Sequence, residues 1–140
     1  MKFTLDFEFG ELSNGKVMTV EIGQNDHWQP ISRDKNNRAT VSVDVDLPSK
    51  VSLRFLGKNM NTDTKVDENN NIVEDLYVRI NRVSVDGFDM DRAFMHQQIK
   101  LVREDGSIVP TCYVGFNGCI DFNFEHDTVF KQVMGMRRGR

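Results

Sequence analysis

Apolar and polar residues alternate with a period of two in several short stretches of this chain. In residues 3–9 every second side chain is apolar, and the side chains between them are polar. Because successive side chains of a β-strand point to opposite faces, this alternation indicates a strand with one buried face. The same pattern recurs at Met18, Val20 and Ile22; Val41, Val43 and Val45; Val51, Leu53 and Phe55; Leu76, Val78 and Ile80; and Ile120, Phe122 and Phe124.

The residue types support strands rather than helices. The 140 residues include 16 Val, 7 Ile and 10 Phe but only 2 Ala and 7 Leu, and branched and aromatic side chains fit a pleated, half-buried surface. We predict an all-β fold: a single antiparallel β-sandwich, jelly-roll-like, with eight or nine short strands and at most one short helix. A barrel is the alternative with the same strand pattern. No linker divides the chain, so we expect one domain, 1–140, with a basic tail, 131–140.

Turn signals between the alternating stretches predict how they connect. Asn14-Gly15 and Asn117-Gly118 are strong two-residue hairpin signals, so we expect each to join two paired strands. Residues 23–38 and 57–71 are mostly polar and are predicted to be loops. Val83 and Val85 continue the preceding strand on the opposite parity, which predicts a bulge or bend near Asn81.

The segment 88–97 is the best place for a short helix, with Asp89 or Asp91 as its N-cap. The end of the chain, residues 129–136, is compatible with a last strand or a helical turn. If Asn117-Gly118 closes a hairpin, Cys112 and Cys119 lie about 13 Å apart along it. A disulfide requires Cα atoms within about 7 Å, so we predict two free thiols.

The segment 63–75 is rich in oxygen-bearing side chains, the ligands that Ca²⁺ prefers. Asp67-x-Asn69-x-Asn71 matches the opening of an EF-hand loop, but Ile72 replaces its glycine and Val78 its bidentate glutamate. Two interpretations stay open: an irregular calcium site, helped by acidic residues of 86–91, or a solvated loop. The candidate metal ligands are Asp63, Asp67, Asn69, Asn71, Glu74 and Asp75.

Catalytic signals are weak. His27, His96 and His126 are far apart in sequence, and none is near a serine or cysteine in a nucleophile motif. The glycines lack the spacing of a phosphate-binding loop. We therefore predict a protein without enzymatic activity, and a small β-barrel enzyme is the weakest alternative.

Trp28, the single tryptophan, lies beside His27 in the first polar segment. An aromatic ring in a polar loop can stack on a sugar or a base, or it can cap the end of a sandwich core. We take Trp28 and His27 as candidate contacts to a ligand or a partner, and packing stays the alternative.

Four basic residues and no acidic ones occur in the last ten positions, whereas the whole chain has a formal net charge of −3. Such a tail can contact nucleic acid or an acidic protein surface, and it is the only part expected to contact nucleic acid. The N-terminus lacks the apolar core of a secretory signal, and no run of apolar residues is long enough to span a membrane. The candidate contact residues of the tail are Lys131, Arg137, Arg138 and Arg140.

One part of the sequence resembles a known family. Val51-Ser-Leu-Arg-Phe-Leu-Gly57, a polar loop, Leu76-Tyr-Val-Arg-Ile80 and Val83-Ser-Val-Asp-Gly87 resemble calcium-dependent, xylan-binding-type carbohydrate-binding β-sandwich modules. In that family a strand ending in a Val-Asp-Gly turn follows a similar loop. The resemblance implies a glycan partner and bound Ca²⁺.

The whole chain also resembles small β-sandwich virion proteins of tailed bacteriophages, which serve in head decoration, the neck or the tail. We expect no leader, the chain is rich in Asn and Asp and poor in Ala, and residues 115–130 add to the likeness. We therefore predict a structural protein of a larger assembly, most simply a virion made in the host cytoplasm. It would dock on other subunits through its N-terminal strand, the Trp28 loop and the tail. The calcium-dependent carbohydrate-binding module is the alternative.

Overall fold

The computed structural model describes residues 1–124. This part of the chain forms antiparallel β-sheets and one short helix, which confirms the predicted β-sandwich. The strands are β1 Lys2–Phe9, β2 Thr19–Gln24, β3 His27–Pro30, β4 Arg38–Asp44, β5 Ser49–Leu56, β6 Thr64–Val66, β7 Ile72–Asp75, β8 Val78–Val85, β9 Phe88–Asp89, β10 Lys100–Arg103, β11 Ile108–Pro110, β12 Tyr113–Val114 and β13 Gly118–Phe124.

The described part has more strands than predicted because the long polar segments contain short hairpins. One sheet has the order β12-β8-β1-β4, and β9 pairs with the last two residues of β8. The facing sheet has the order β11-β10-β13-β5-β2-β3, and β6 and β7 form a separate hairpin. No helix among residues 1–124 is long and apolar enough to cross a membrane.

The two large sheets enclose the core. Alternate residues of β1, β5, β8 and β13 point inward, as their sequence period predicts, and are almost fully buried. Phe3 on β1 packs across the core against Phe122 and Phe124 on β13, with ring centroids 5.0 and 4.9 Å apart. These ring contacts join one sheet to the other.

Both predicted Asn-Gly hairpins are wrong. β1 and β2 belong to different sheets, so the turn at Asn14-Gly15 lies within a connection that crosses between sheets. β12 and β13 are likewise in different sheets. The Asn117 side chain bonds instead to the Lys58 backbone, accepting from its N–H at 2.9 Å and donating to its carbonyl at 2.8 Å.

The position of β1 also corrects the expectation that the N-terminal strand docks on a neighbour. β1 pairs with β4 on one side and β8 on the other, so its backbone hydrogen bonds are used within the chain. Asp6 pairs with Arg82 and Phe7 with Ile80, which leaves Asn81 as the extra residue of a bulge. The predicted bulge is therefore confirmed.

The helix and the cysteines agree with the sequence. The helix, α1, covers Arg92–Gln98, and the Asp91 carboxylate caps it by accepting from two backbone N–H groups. Cys112 is buried, Cys119 is exposed, and both are free thiols. Cys112 directly precedes β12 in one sheet and Cys119 lies on β13 in the other. The two thiols are therefore kept apart by the two sheets and not by the predicted hairpin. The segment 129–136, for which a strand and a helical turn are both predicted, and the basic tail lie outside the described residues.

Candidate functional site

Trp28 lies on β3 because residues 23–30 form a hairpin where the sequence suggested a loop. β2 and β3 are joined by Asn25 and Asp26, whose φ angles of 52° and 64° belong to a tight two-residue turn. The Asn25-Asp26 pair is the sequence signal for this turn. The polar composition of the surrounding residues favoured a loop instead. The hairpin places Trp28 directly opposite Gly23 on β2.

The indole of Trp28 lies on Gly23. A Cβ atom built on Gly23 would be 2.7–2.8 Å from three atoms of the ring, so only glycine allows this contact. The guanidinium of Arg54 on β5 lies 4.2 Å from the ring centroid, a cation–π contact. Arg54 is itself held by Glu21 through a 3.0 Å hydrogen bond. The ring is therefore fixed in orientation, and 37% of the residue stays exposed.

Beside the indole is an open cavity of about 240 Å³. Ser52 at its base is buried and donates a 2.6 Å hydrogen bond to Asp121, and Gln24 donates to the Asp44 carbonyl at 2.7 Å. The other polar side chains around the cavity have no hydrogen-bond or ion-pair partner within residues 1–124. They are those of Asn25, Asp26 and Lys50.

His27 does not share this cavity. It lies next to Trp28 in a strand, so its side chain points to the opposite face. There it lines a separate cavity of about 320 Å³ with Ile22 and Val43. The two neighbouring candidate contacts are thus split between two surfaces, and only Trp28 combines an aromatic ring with unpaired polar groups.

The acidic segment 63–75 is the β6–β7 hairpin and not a loop. The Asp67 carboxylate accepts hydrogen bonds from the backbone N–H groups of Asn69 (2.8 Å) and Asn71 (2.9 Å), which closes the turn. These bonds lower the pKa of Asp67. The sequence that resembles an EF-hand opening therefore forms a tight turn with its own carboxylate partner.

Two further acidic side chains of this segment bond to residues of this chain that lie outside the segment. Asp63 is buried, and Lys16 (2.5 Å) and the Asn59 N–H (2.7 Å) donate to it, which lowers its pKa. Glu74 accepts from the Ser13 N–H at 2.8 Å and forms an exposed ion pair with Lys65. These contacts fasten the hairpin to the rest of the fold.

Asp75 forms a buried ion pair with Lys58 at 2.7 Å, the two side chains being 11% and 2% exposed. Lys58 also donates to the Gly115 carbonyl at 2.7 Å, and Thr64 and Tyr113 donate to Asp75. Burial opposes ionisation of Asp75, but these hydrogen bonds outweigh it and hold its pKa below the usual range. Burial and the bond to Asp75 raise the pKa of Tyr113.

The four carboxylates among the predicted metal ligands thus have other partners, while Asn69 and Asn71 bond to Asp67 through their backbone N–H groups. Each of the four carboxylates is engaged by lysine, hydroxyl or backbone N–H groups. Nowhere in residues 1–124 do three or more His, Cys, Asp or Glu side chains form a group that could hold a metal ion. The calcium site at these residues stays a prediction.

The remaining candidate residues are not brought together. His96 is exposed on α1 and lines a different cavity from the one that His27 lines, and His126 lies outside the described residues. Cys112 lines the same cavity as His96, but burial raises the pKa of its thiol, which disfavours a nucleophilic thiolate. The tail residues Lys131, Arg137, Arg138 and Arg140 are also outside the described part.

Comparison with known proteins supports the fold. No family model and no curated protein matches the chain. It is similar to the selenomethionine form of vCBM60, a structure described with the circular permutation that links two families of calcium-dependent carbohydrate binding modules. That likeness has a TM-score of 0.52 and 11% identity, over 89% of this chain and 94% of the other.

A second similar structure is vCBM60 in complex with galactobiose, with a TM-score of 0.47 and 10% identity, over 88% of this chain and 98% of the other. At such low identity the likeness concerns the fold alone. No comparison supports the predicted resemblance to phage virion proteins.

Loss of the buried cation should destabilise the fold strongly. We expect Lys58→Met to lower the free energy of unfolding by about 3–5 kcal/mol, because Asp75 stays buried without its ionic partner. Lys65→Met is the matched control: it breaks an ion pair whose side chains are 47% and 28% exposed and should cost no more than about 1 kcal/mol. Urea denaturation measures both, and equal losses would contradict a structural role for the buried pair.

Proposed function

We propose that this chain is a non-enzymatic carbohydrate-binding module and that Trp28 and its cavity bind the glycan. The observation that carries the proposal is a rigidly held, exposed indole beside polar side chains that have no partner of their own within residues 1–124. The similarity in fold to vCBM60, itself a carbohydrate-binding module, supports the same function.

The chemistry of the cavity matches that of a sugar ring. A pyranose has an apolar face of C–H groups, which packs on an aromatic ring, and a rim of hydroxyl groups, which need donors and acceptors. Trp28 provides the aromatic surface, Lys50 provides donors, Asp26 provides acceptors and Asn25 provides both. The volume of about 240 Å³ is smaller than that of most drug-binding pockets, about 300–1,000 Å³. It suits a single sugar ring, with the rest of an oligosaccharide lying on the surface.

Binding without catalysis follows from the same residues. General acid–base hydrolysis of a glycoside uses two carboxyl groups on either side of the scissile bond. Asp26 is the one carboxylate among the residues that line this cavity. The cavity can therefore hold a sugar, but it lacks the second carboxyl group that hydrolysis by that mechanism requires.

Replacing the indole should abolish glycan binding. Galactobiose, the disaccharide in the vCBM60 complex, is the first probe, followed by an array of oligosaccharides of the common hexoses and pentoses. We expect Trp28→Ala to weaken binding of the best oligosaccharide at least about tenfold, or about 1.4 kcal/mol, in isothermal titration calorimetry.

His27→Ala is the control, since it alters the same strand on the opposite face and should leave the affinity unchanged. Thermal melts of both variants check that the fold is intact. Two results would overturn the proposal: no binding to any oligosaccharide at millimolar concentration, or equal affinity of Trp28→Ala and the wild type.

In the proposed binding mode the sugar is held by Trp28 and its neighbours and not through calcium at residues 63–75. We expect thermal melts in millimolar Ca²⁺ and in EDTA to agree within about 1 °C, because the carboxylates of residues 63–75 are engaged by the protein itself. A site filled at about 100 times its dissociation constant adds about 2.7 kcal/mol, which would raise the melting temperature by at least about 5 °C. A rise of that size would contradict the expectation and support the predicted calcium ligands instead.

A further inference from the structure

The cavity that His96 and Cys112 line has a volume of about 290 Å³. It lies between β8, the start of β12 and the helix α1, at one edge of the five-stranded sheet. The other edge of that sheet is β4, which approaches the hairpin of Trp28 at Val43. This cavity and the proposed glycan site are therefore on opposite edges of the sandwich, and a ligand bound here does not depend on glycan binding.

The inner wall of this cavity is apolar and firmly held. Ile80, Met95 and Cys112 line it and are almost fully buried. The backbone N–H of Ile80 donates to the Cys112 carbonyl at 2.8 Å, which joins β8 to the segment before β12. The ring of Tyr113, also in the wall, stacks on Tyr77 with ring centroids 4.7 Å apart. The wall therefore offers apolar contacts to the body of a small ligand.

The exposed rim of the cavity carries basic side chains. Arg92 and His96 are four residues apart on α1, so their side chains share one face of the helix, and Arg79 joins them from β8. Within residues 1–124 the side chains of Arg92 and His96 make no hydrogen bond and no ion pair. Burial raises the pKa of the Cys112 thiol, and the charge of Arg92 partly offsets this effect. The field of that guanidinium therefore extends into the cavity.

The acidic side chains nearby do not neutralise this rim. Among the described residues, no Asp or Glu lines the cavity. Asp91, next to Arg92 in sequence, accepts from two backbone N–H groups of α1. Glu8 pairs with Arg79 at 3.4 Å, but it also pairs with Arg38 at 3.3 Å. One carboxylate thus serves two guanidinium groups, and positive charge is left over at the cavity.

Asn81 adds a neutral donor and acceptor to the same cavity. It is the extra residue of the bulge between β1 and β8, and bulges change the direction of a side chain and are frequent beside functional sites. Its side chain is half-buried, lines the cavity and makes no hydrogen bond within the part of the chain that the structure describes. The cavity therefore combines three kinds of unused donor: guanidinium, imidazole and amide.

We propose that this cavity binds a small organic anion whose charged group is a phosphate, a sulfate or a carboxylate. The oxyanion accepts hydrogen bonds from Arg79, Arg92 and His96, since the planar guanidinium fork matches the oxygens of such groups. The carbon body of the ligand packs on Ile80 and Met95. A volume of about 290 Å³ is many times the roughly 30 Å³ that one water molecule takes in the liquid, so the cavity has room for the body as well as the oxyanion.

Four probes that share one aromatic ring test the proposal: phenol, benzoate, phenyl sulfate and phenyl phosphate. Each is titrated into the full chain at constant ionic strength in a calorimeter. We expect at least one of the three anions to bind saturably with a Kd of about 1 mM or lower, and neutral phenol to bind at least about tenfold more weakly. The anion with the highest affinity identifies the oxyanion that the cavity prefers.

Arg92→Gln should weaken binding of that anion at least about tenfold, because it removes a charge-assisted hydrogen bond. Arg82→Gln is the matched control. It removes the same charge from an arginine of β8, but Arg82 pairs with Asp6 at 3.2 Å and does not line the cavity. The control should leave the affinity unchanged, and thermal melts of both variants check that the fold is retained.

The ring signals of His96 in an NMR spectrum, assigned with the variant His96→Gln, provide an independent readout. They should shift with the same midpoint as calorimetric binding, whereas those of His27, at the opposite edge of the sandwich, should not. Any one of four results overturns the proposal: no saturable binding of an anion up to about 10 mM, equal affinity for phenol, equal losses in Arg92→Gln and Arg82→Gln, or unchanged His96 signals at saturation.

Discussion

The burial of one apolar face of each sheet against the other determines the rest of this structure. β1 and β5 are interior strands of their sheets, so each is hydrogen-bonded on both sides and contributes an almost fully buried row of side chains. The contacts of Phe3 on β1 with Phe122 and Phe124 on β13 connect the two sheets. With the interior filled in this way, the surfaces left for binding are the outer faces, the turns and the edges.

The polar groups near the core serve mainly to hold the connections between strands. The buried pair of Lys58 and Asp75 ties the β6–β7 hairpin to Gly115, and Asp63 ties it to Lys16. An acidic segment that suggests metal binding in the sequence is therefore occupied with structural bonds. The turn at Trp28 differs, because Asn25, Asp26 and Lys50 face solvent without partners among residues 1–124.

Local pattern was enough to predict much of the fold. Alternation located the long strands and the parity change located the bulge at Asn81. Of the two caps predicted for the helix, Asp89 and Asp91, it is Asp91 that caps the start of α1. Strand partners could not be predicted in this way, because pairing depends on residues distant in sequence. Asn14-Gly15 forms a turn but no hairpin, since the residues after it join the opposite sheet. Trp28 was identified, but its cavity needs Gly23, Lys50 and Ser52 from two other strands.

Tryptophan fluorescence tests most directly whether a glycan binds against Trp28. Trp28 is the single tryptophan of the chain, so the emission reports on this cavity alone. Titration with the best oligosaccharide from the array should produce a saturable change in emission intensity or wavelength, with the same midpoint as calorimetric binding. Saturable binding in the calorimeter without any change in emission would place the glycan elsewhere and contradict the account.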